Sequence, residues 1–436
     1  MSRDGLVLRA ATLWSDGRLL EGAAVAVEDG KVTGVFGRDS EGDLASEVVS
    51  GSRAGKVGLE GMTEADGWAV VDLGPRSLLP GLIDCHVHTV FPGDGSVLHD
   101  ALGVADSELL LRAAENGRRA LRAGVTTVVD VGAPPQVIFP LVRAVEEGVL
   151  HSARIIPAGP PVTITGGHCW PMGGEADSKE DVVTLVRRTM RDGAALIKVM
   201  GTGGGTPGTN SFLPVYPQET LEAIVAEARR LGRRTLIHSG ATLATRSAVR
   251  AGFDVIFHGH FHRGDGSLVY DRGVVAEMIE AGTHLNPTLW VNRVVREVAE
   301  REAREGVSGA QKRSEIQRAK YRGQTENVSR MLEAGVSMLM GSDSGWGHVD
   351  FSEGLIREME CFSELGSADG DLLRLATRGA AEFLEREDLG GIFPGAAADI
   401  LGVCGKPWEG IPDLRKTDFV MTRGEIFTTP VGMLGV

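Results

Sequence analysis

From residue 80 to residue 366 the chain repeats one pattern: a short apolar run, an amphipathic run, then another apolar run. The apolar runs are LPGLIDCHVH, VTTVVDVG, ARIIPAGPPVTI, ALIKVM, RTLIHS, DVIFHG, THLNPTL and VSMLMGSDSG, each short enough for a buried strand. Between them fall stretches with helical periodicity, at 107–124, 179–193, 218–232 and 311–335. Strands that alternate with helices pair in parallel, and eight such units over this length suit a (β/α)8 TIM barrel. The expected fold class is therefore α/β, with a barrel domain at 80–384.

The two ends of the chain read differently. Residues 5–36 form short strand candidates, with Asp29-Gly30 as a hairpin turn pair. Residues 37–66 are polar and Gly/Ser-rich, and are expected to be a long mobile loop or insertion. Beyond residue 385, GIFPGAAADILGVCG and DFVMTRGEIFTTP return to short strands and turns. The expectation is a small β-sandwich built from segments 1–79 and 385–436, into which the barrel is inserted.

Composition narrows the function classes. Hydrophobic residues at 42% and charged residues at 24% are globular values, which disfavours disorder and a membrane bundle. A net charge of −14 repels phosphate backbones, so no nucleic-acid partner is expected. Cys85, Cys169, Cys361 and Cys404 stand far apart without a C-x-x-C pair, which argues against a disulfide framework or a zinc knuckle. The first twenty residues lack an apolar signal core, and no stretch approaches a membrane span. A cytoplasmic protein acting on a small molecule, away from membranes, is expected; the oligomeric state stays open, a homo-oligomer included.

Reactive residue types recur at the C-terminal ends of the strand candidates, where barrel enzymes place their chemistry. His86 and His88 are two apart on one strand, so their rings point to the same side. Lys198 ends ALIKVM, His238 ends RTLIHS, His258 ends DVIFHG and Asp343 follows VSMLMGS. A lysine inside an apolar run must find a partner or lose its charge. It either reaches solvent or an acid, or its neutral amine takes up carbon dioxide as a carbamate that can bridge two cations. Four imidazoles, one carboxylate and one such carbamate suit two divalent ions of borderline softness, zinc above all.

Other signals weigh less. Gly203, Gly205 and Gly208 fit G-x-G-x-x-G, but two prolines follow and no helix opens, so a flexible loop is expected in place of a dinucleotide site. GSDSG has aspartate where a nucleophile elbow needs serine. His260 and His262 are expected on a loop after Gly259, and Asp130 is either a partner of the site or a barrel-filling group. Cys85 should face away from the histidines as a packed residue.

On LLPGLIDCHVH, IKVMGTGGGTPGTN, IHS, DVIFHGH, MGSDSG and GGIFPGAAADILGV, the chain resembles the amidohydrolase superfamily across nearly its whole length. TITGGHCWPMGGEAD narrows the resemblance to imidazolonepropionase-like and prolidase-like members with two metals and a carboxylated lysine. The resemblance implies that His86, His88 and Asp343 hold one ion, His238 and His258 the other, and a Lys198 carbamate bridges them. It implies hydrolysis of an amide-type C–N bond by a metal-bridging hydroxide, with Asp343 moving the proton. Implied substrates are dipeptides, N-acyl amino acids, or xenobiotic amides, carbamates and ureas.

His168 and Tyr216 match residues that contact substrate in those relatives, although either could instead serve loop architecture. Phe257 departs from the pattern, since glutamate is common before the strand-six histidine, and this bears on substrate class. Two alternatives remain: a catalytically silent metal-binding barrel, and a one-metal deaminase or cyclic-imide hydrolase. Against the deaminase, Ala241 stands where such enzymes carry glutamate.

Overall fold

The computed structural model describes residues 5–50, 52, 54, 67–96 and 98–430. The chain divides into two compact units, one comprising Met1–Asp84, Arg118–Thr127 and Phe362–Val436, the other Cys85–Gly117 and Val128–Cys361.

In the first unit, β1 (Leu6–Ser15), β2 (Arg18–Glu28), β3 (Lys31–Arg38) and β4 (Leu44–Val48) form an antiparallel meander. Its first two turns are Asp16-Gly17 and Asp29-Gly30, both residues at positive φ in each, which matches the twist of the flanking strands. β5 (Ala69–Asp72) and β6 (Ser77–Pro80) both pair in parallel with β1. β14 (Ile400–Val403) then adds to β6, followed by β15 (Thr417–Thr422) and β16 (Glu425–Thr428).

The two chain ends thus meet in one mixed nine-stranded sheet. Alternation gives it two apolar faces. Leu8, Leu13, Leu20, Val25, Phe419 and Met421 are buried in one cluster, and Val7, Ala24, Ala26, Phe36 and Trp68 in another.

The expectation of a mobile loop over 37–66 is corrected at 44–48, which form β4. This strand is almost entirely exposed, so no apolar alternation advertises it; its hydrogen bonds to β3 define it. Ala54 is also buried, against the Trp68 cluster. Residues 51, 53 and 55–66 lie outside the described residues.

The second unit holds most of the repeat. β7 (Leu82–Val87, in this unit from Cys85), β8 (Val125–Asp130, in this unit from Val128) and β9 (Arg154–Pro157) form one sheet. β10 (Ile197–Met200), β11 (Thr235–Ala241), β12 (Val255–His262) and β13 (His284–Asn286) form a second, parallel throughout.

The closed eight-stranded ladder expected from the repeat is not formed. Single parallel bridges, Val162 with Val199, Leu285 with Met338, and Val87 with Ser344, stand where barrel ladders would run. Residues 336–344, expected as the eighth strand, make no regular ladder. Gly341 packs so closely on His86 that a Cβ there would stand 2.7 Å from the His86 Cβ.

The four helices read from periodicity appear as Asp106–Arg122, Lys179–Asp192, Gln218–Arg230 and Ala310–Ala334. Among the described residues no helix is long and apolar enough to cross a membrane.

Candidate active site

The ends of β7, β10, β11 and β12, with the segment after residue 341, converge on one cavity of about 790 Å³. His86, His88, Lys198, His238, His258 and Asp343 all line it. Nε2 of His86 lies 3.3 Å from Oδ1 of Asp343, and Nε2 of His88 lies 3.5 Å from the same oxygen. Ligand atoms of His86, His258 and Asp343 fall within 4.8 Å of one another. The rings of His238 and His258 are 4.5 Å apart.

What these histidines do with their second nitrogen decides which faces inward. Nδ1 of His86 lies 2.7 Å from Oδ1 of Asn286, whose amide nitrogen already donates to the carbonyls of Leu339 and Gly341, so the ring must be the donor. Nδ1 of His258 lies 2.7 Å from the Thr288 hydroxyl oxygen, which itself donates to Pro287 O and so accepts from the ring. His88 donates from Nδ1 to Gly132 O at 3.2 Å, and His238 from Nε2 to Gly203 O at 3.1 Å. Each neutral ring therefore has its proton committed to an oxygen and offers the other nitrogen as a lone pair.

Burial, reinforced by the Lys198 charge and neighbouring imidazoles, keeps them neutral. His86, His238 and His258 lie well below the usual histidine range, and His88 is pushed down to about 3.

Lone pairs of His86 and His88 thus face one carboxylate oxygen with no ring proton between, an arrangement that a cation relieves. The observed N···O separations fit as well, because ligand bonds of roughly 2.1 Å in a tetrahedron set ligand atoms about 3.4 Å apart. The donor set fits a metal.

Backbone strain gathers at the same place. His258, Thr288, Asp343 and Cys169 have φ of 68°, 50°, 62° and 60°, in the left-handed region that costs a non-glycine residue on the order of 1 kcal/mol or more. At Asp343 the turn lets its amide donate to His86 O at 2.7 Å, which ties the carboxylate to the histidine strand.

Lys198 is 2% exposed, and its Nζ lies 3.9 Å from the Phe257 ring centre. Burial lowers its pKa to about 7 against the opposing pull of Asp343. Phe257 also stacks on His86 at 3.9 Å, so the residue that departs from the familiar pattern forms an apolar floor under both groups.

A family model described as the amidohydrolase family matches residues 77–427. The chain belongs to the amidohydrolase family. It is 28% identical over 211 residues to ochratoxinase of Aspergillus niger, a match covering 42% of this chain and 43% of that protein, so the chain spans under half the length of that relative. It is 27% identical over 434 residues to imidazolonepropionase of Anaeromyxobacter dehalogenans, covering 90% of this chain and 87% of that one. In fold, it is similar to the crystal structure of a Xaa-Pro dipeptidase with bound methionine, with a TM-score of 0.76 and 24% identity over 97% of this chain and 100% of the other.

The remaining sequence-derived residues of this amidohydrolase separate. His168 lines the cavity, its ring 4.8 Å from that of His238. Thr206 Oγ1 accepts from the Cys169 amide at 3.0 Å and lies 2.8 Å from Nδ1 of His168. Where Nδ1 accepts from the Thr206 hydroxyl, the His168 proton sits on Nε2. Gly204 makes room for that nitrogen, since a Cβ there would stand 2.4 Å from it.

Tyr216 does not line the cavity; its hydroxyl donates to Ala176 O at 2.7 Å. The loop that ends in Pro217 thus turns its phenol onto that carbonyl. His168→Asn should lower kcat/KM with the melting temperature unchanged, whereas Tyr216→Phe should cost about 1 kcal/mol of stability and leave kcat/KM alone. Thermal unfolding and steady-state kinetics on both variants check this pair.

His260 and His262 are corrected from loop to strand, since β12 runs on to His262 through positive φ at His258, Gly259 and Phe261. Both line the cavity, His260 against Asn292 Nδ2 at 3.2 Å and His262 against Gly266 O at 3.0 Å. Asp130 accepts from the Thr89 amide and hydroxyl and from the Gly132 amide, which fixes the loop that carries His88 and its carbonyl partner. Cys85 is buried, and the Cys169 thiol is pushed up to about 12 by burial. Sequence reasoning missed Asn286, Thr288 and Gly132, whose only signal is spatial.

Proposed function

We propose that this chain is a metal-dependent hydrolase that cleaves an amide-type C–N bond of a small molecule. The observation that carries this reading is the set of four neutral histidines, each with one nitrogen anchored on an oxygen, that gather with Asp343 and Lys198 at a single cavity. His86, His88 and Asp343 would hold one divalent ion, His238 and His258 the second, with Lys198 as a carbamate between them. Zinc suits this donor set.

When bound, such a pair lowers the pKa of water toward about 7 and polarises the scissile carbonyl. Asp343 accepts a proton from the attacking water and returns it to the nitrogen as the C–N bond breaks, giving acid and amine. In this reading His168 carries its proton on Nε2 and donates it in a hydrogen bond to a substrate oxygen. Phe257 and the buried strand ends limit water around the reacting carbon.

In this reading the catalytic domain is 80–384, and 1–79 with 385–436 make a second domain. The four cysteines, none in a disulfide, agree with a cytoplasmic protein.

The test joins metal analysis to a panel of dipeptides, N-acyl amino acids, phenylureas and thiocarbamates. Close to two divalent ions per chain and hydrolysis of at least one class are expected. A stoichiometry that stays at one after loading with zinc and bicarbonate would refute the two-ion arrangement, and two ions without turnover would favour a silent metal-binding barrel.

A further inference from the structure

The cavity has a second polar pole that the hydrolytic reading does not use. Lys320, on the helix Ala310–Ala334, lines the same space as the histidines. It is half-buried, and among the described residues no carboxylate lies within ion-pair distance of it. Its neighbours one turn away on the helix, Ile316, Gln317, Gly323 and Gln324, are uncharged.

Several cations on or near this helix are provided for. Arg318 pairs with Glu300 at 3.1 Å, Arg313 pairs with Glu302 at 2.8 Å, and Arg296 lies over the Tyr321 ring. Lys320 and Arg322 both line the cavity without an ion pair among the described residues, and Lys320 is the more buried of the two. Desolvation lowers the Lys320 pKa. A desolvated ammonium with no counter-ion is costly unless a ligand supplies one.

The wall of the cavity supplies the rest of the argument. Phe212, Leu268, Val291, Val295, Ile316 and Trp346 also line it. A ligand that fills this space meets a proton-transferring end at Asp343, an apolar wall, and the cations Lys320 and Arg322, with Glu326 also on the lining. The chain as a whole carries −14, which repels anions at long range, so selection of an anion must come from a local group.

We infer that Lys320 is a specificity-determining residue that binds a carboxylate carried by the substrate, so that the preferred substrates are anionic amides with an apolar body. This rests on the hydrolytic reading for the word substrate, but the binding itself does not.

The test is direct binding to the protein as isolated, by calorimetry, of the monoanilides of succinic, glutaric and adipic acid, each against its neutral carboxamide counterpart. The series varies the reach of the carboxylate. The best-fitting acid should bind roughly 10- to 100-fold more tightly than its carboxamide, the value of a hydrogen bond to a charged group. Lys320→Met should erase that preference while leaving affinity for the carboxamides unchanged. Lys320→Gln serves if the methionine variant is not folded by circular dichroism.

No preference for any acid in the unaltered protein, or a preference that survives in the variants, would overturn the inference. Hydrolysis is followed in the same samples. Preferential binding of an acid without cleavage of any anilide or panel substrate would leave Lys320 in place and count against the hydrolytic reading. Cleavage without preference would do the reverse.

Discussion

Asp343→Asn is expected to lower turnover by about 10² to 10⁴, the usual loss when a general acid–base group is removed. The amide keeps the volume and one oxygen of the carboxylate, so the backbone at φ 62° and the amide contact to His86 O should survive. What is lost is basicity at the oxygen that stands 3.3 Å from His86 and 3.5 Å from His88. Metal content should fall only in part, since an amide oxygen still coordinates weakly. The check is metal analysis beside single-turnover kinetics on the best substrate of the panel. Near-normal turnover with metal retained would mean that another group carries the proton. Turnover lost together with all metal would recast Asp343 as a ligand alone.

How far the site was legible before the fold depends on where each residue's information lies. His86 and His88 announce themselves because strand periodicity puts both on one side, and Lys198 because a charge within an apolar run is costly. His238, His258 and Asp343 follow from the rule that parallel strands place chemistry at their C-terminal ends. The groups that orient them are not legible this way. Asn286 closes the three-residue β13, Thr288 precedes the helix Leu289–Arg304, and Gly132 contributes a carbonyl that no side-chain pattern records.

The fold shows the same division. The four periodic helices appear within a few residues of their expected limits because burial of one face writes them into sequence. β4 lies on the edge of its sheet and buries almost nothing, so only its ladder to β3 reveals it. Segment 336–344 has strand-like composition, yet it meets its neighbours by single bridges. Tyr216 was placed at the site by its position after a strand, which fixes the loop but not which way a side chain on it turns.

Lys198→Ala is expected to abolish most activity, by more than the roughly 10- to 100-fold loss that follows removal of a mere partner of a metal ligand. The ammonium reading and the carbamate reading predict different rescues. If Lys198 serves only as a buried cation over Phe257, at 3.9 Å from the ring centre, then the alanine variant leaves an apolar gap against an apolar floor. Acetate or propionate would have no reason to enter it.

If Lys198 instead carries a carbamate, the variant lacks a bridging carboxylate between two cations, and short carboxylic acids should restore part of the rate in a concentration-dependent way. Lys198→Arg separates the two readings further. Guanidinium keeps the charge and the cation–π contact but cannot take up carbon dioxide, so it should be as inactive as alanine and should not respond to acetate, because its own side chain fills the space. Activity retained by Lys198→Arg would exclude the carbamate. Rescue of alanine alone, with electron density for an extended side chain in the metal-loaded parent protein, would leave the bridge as the reading that accounts for why an apolar strand carries a lysine at this position.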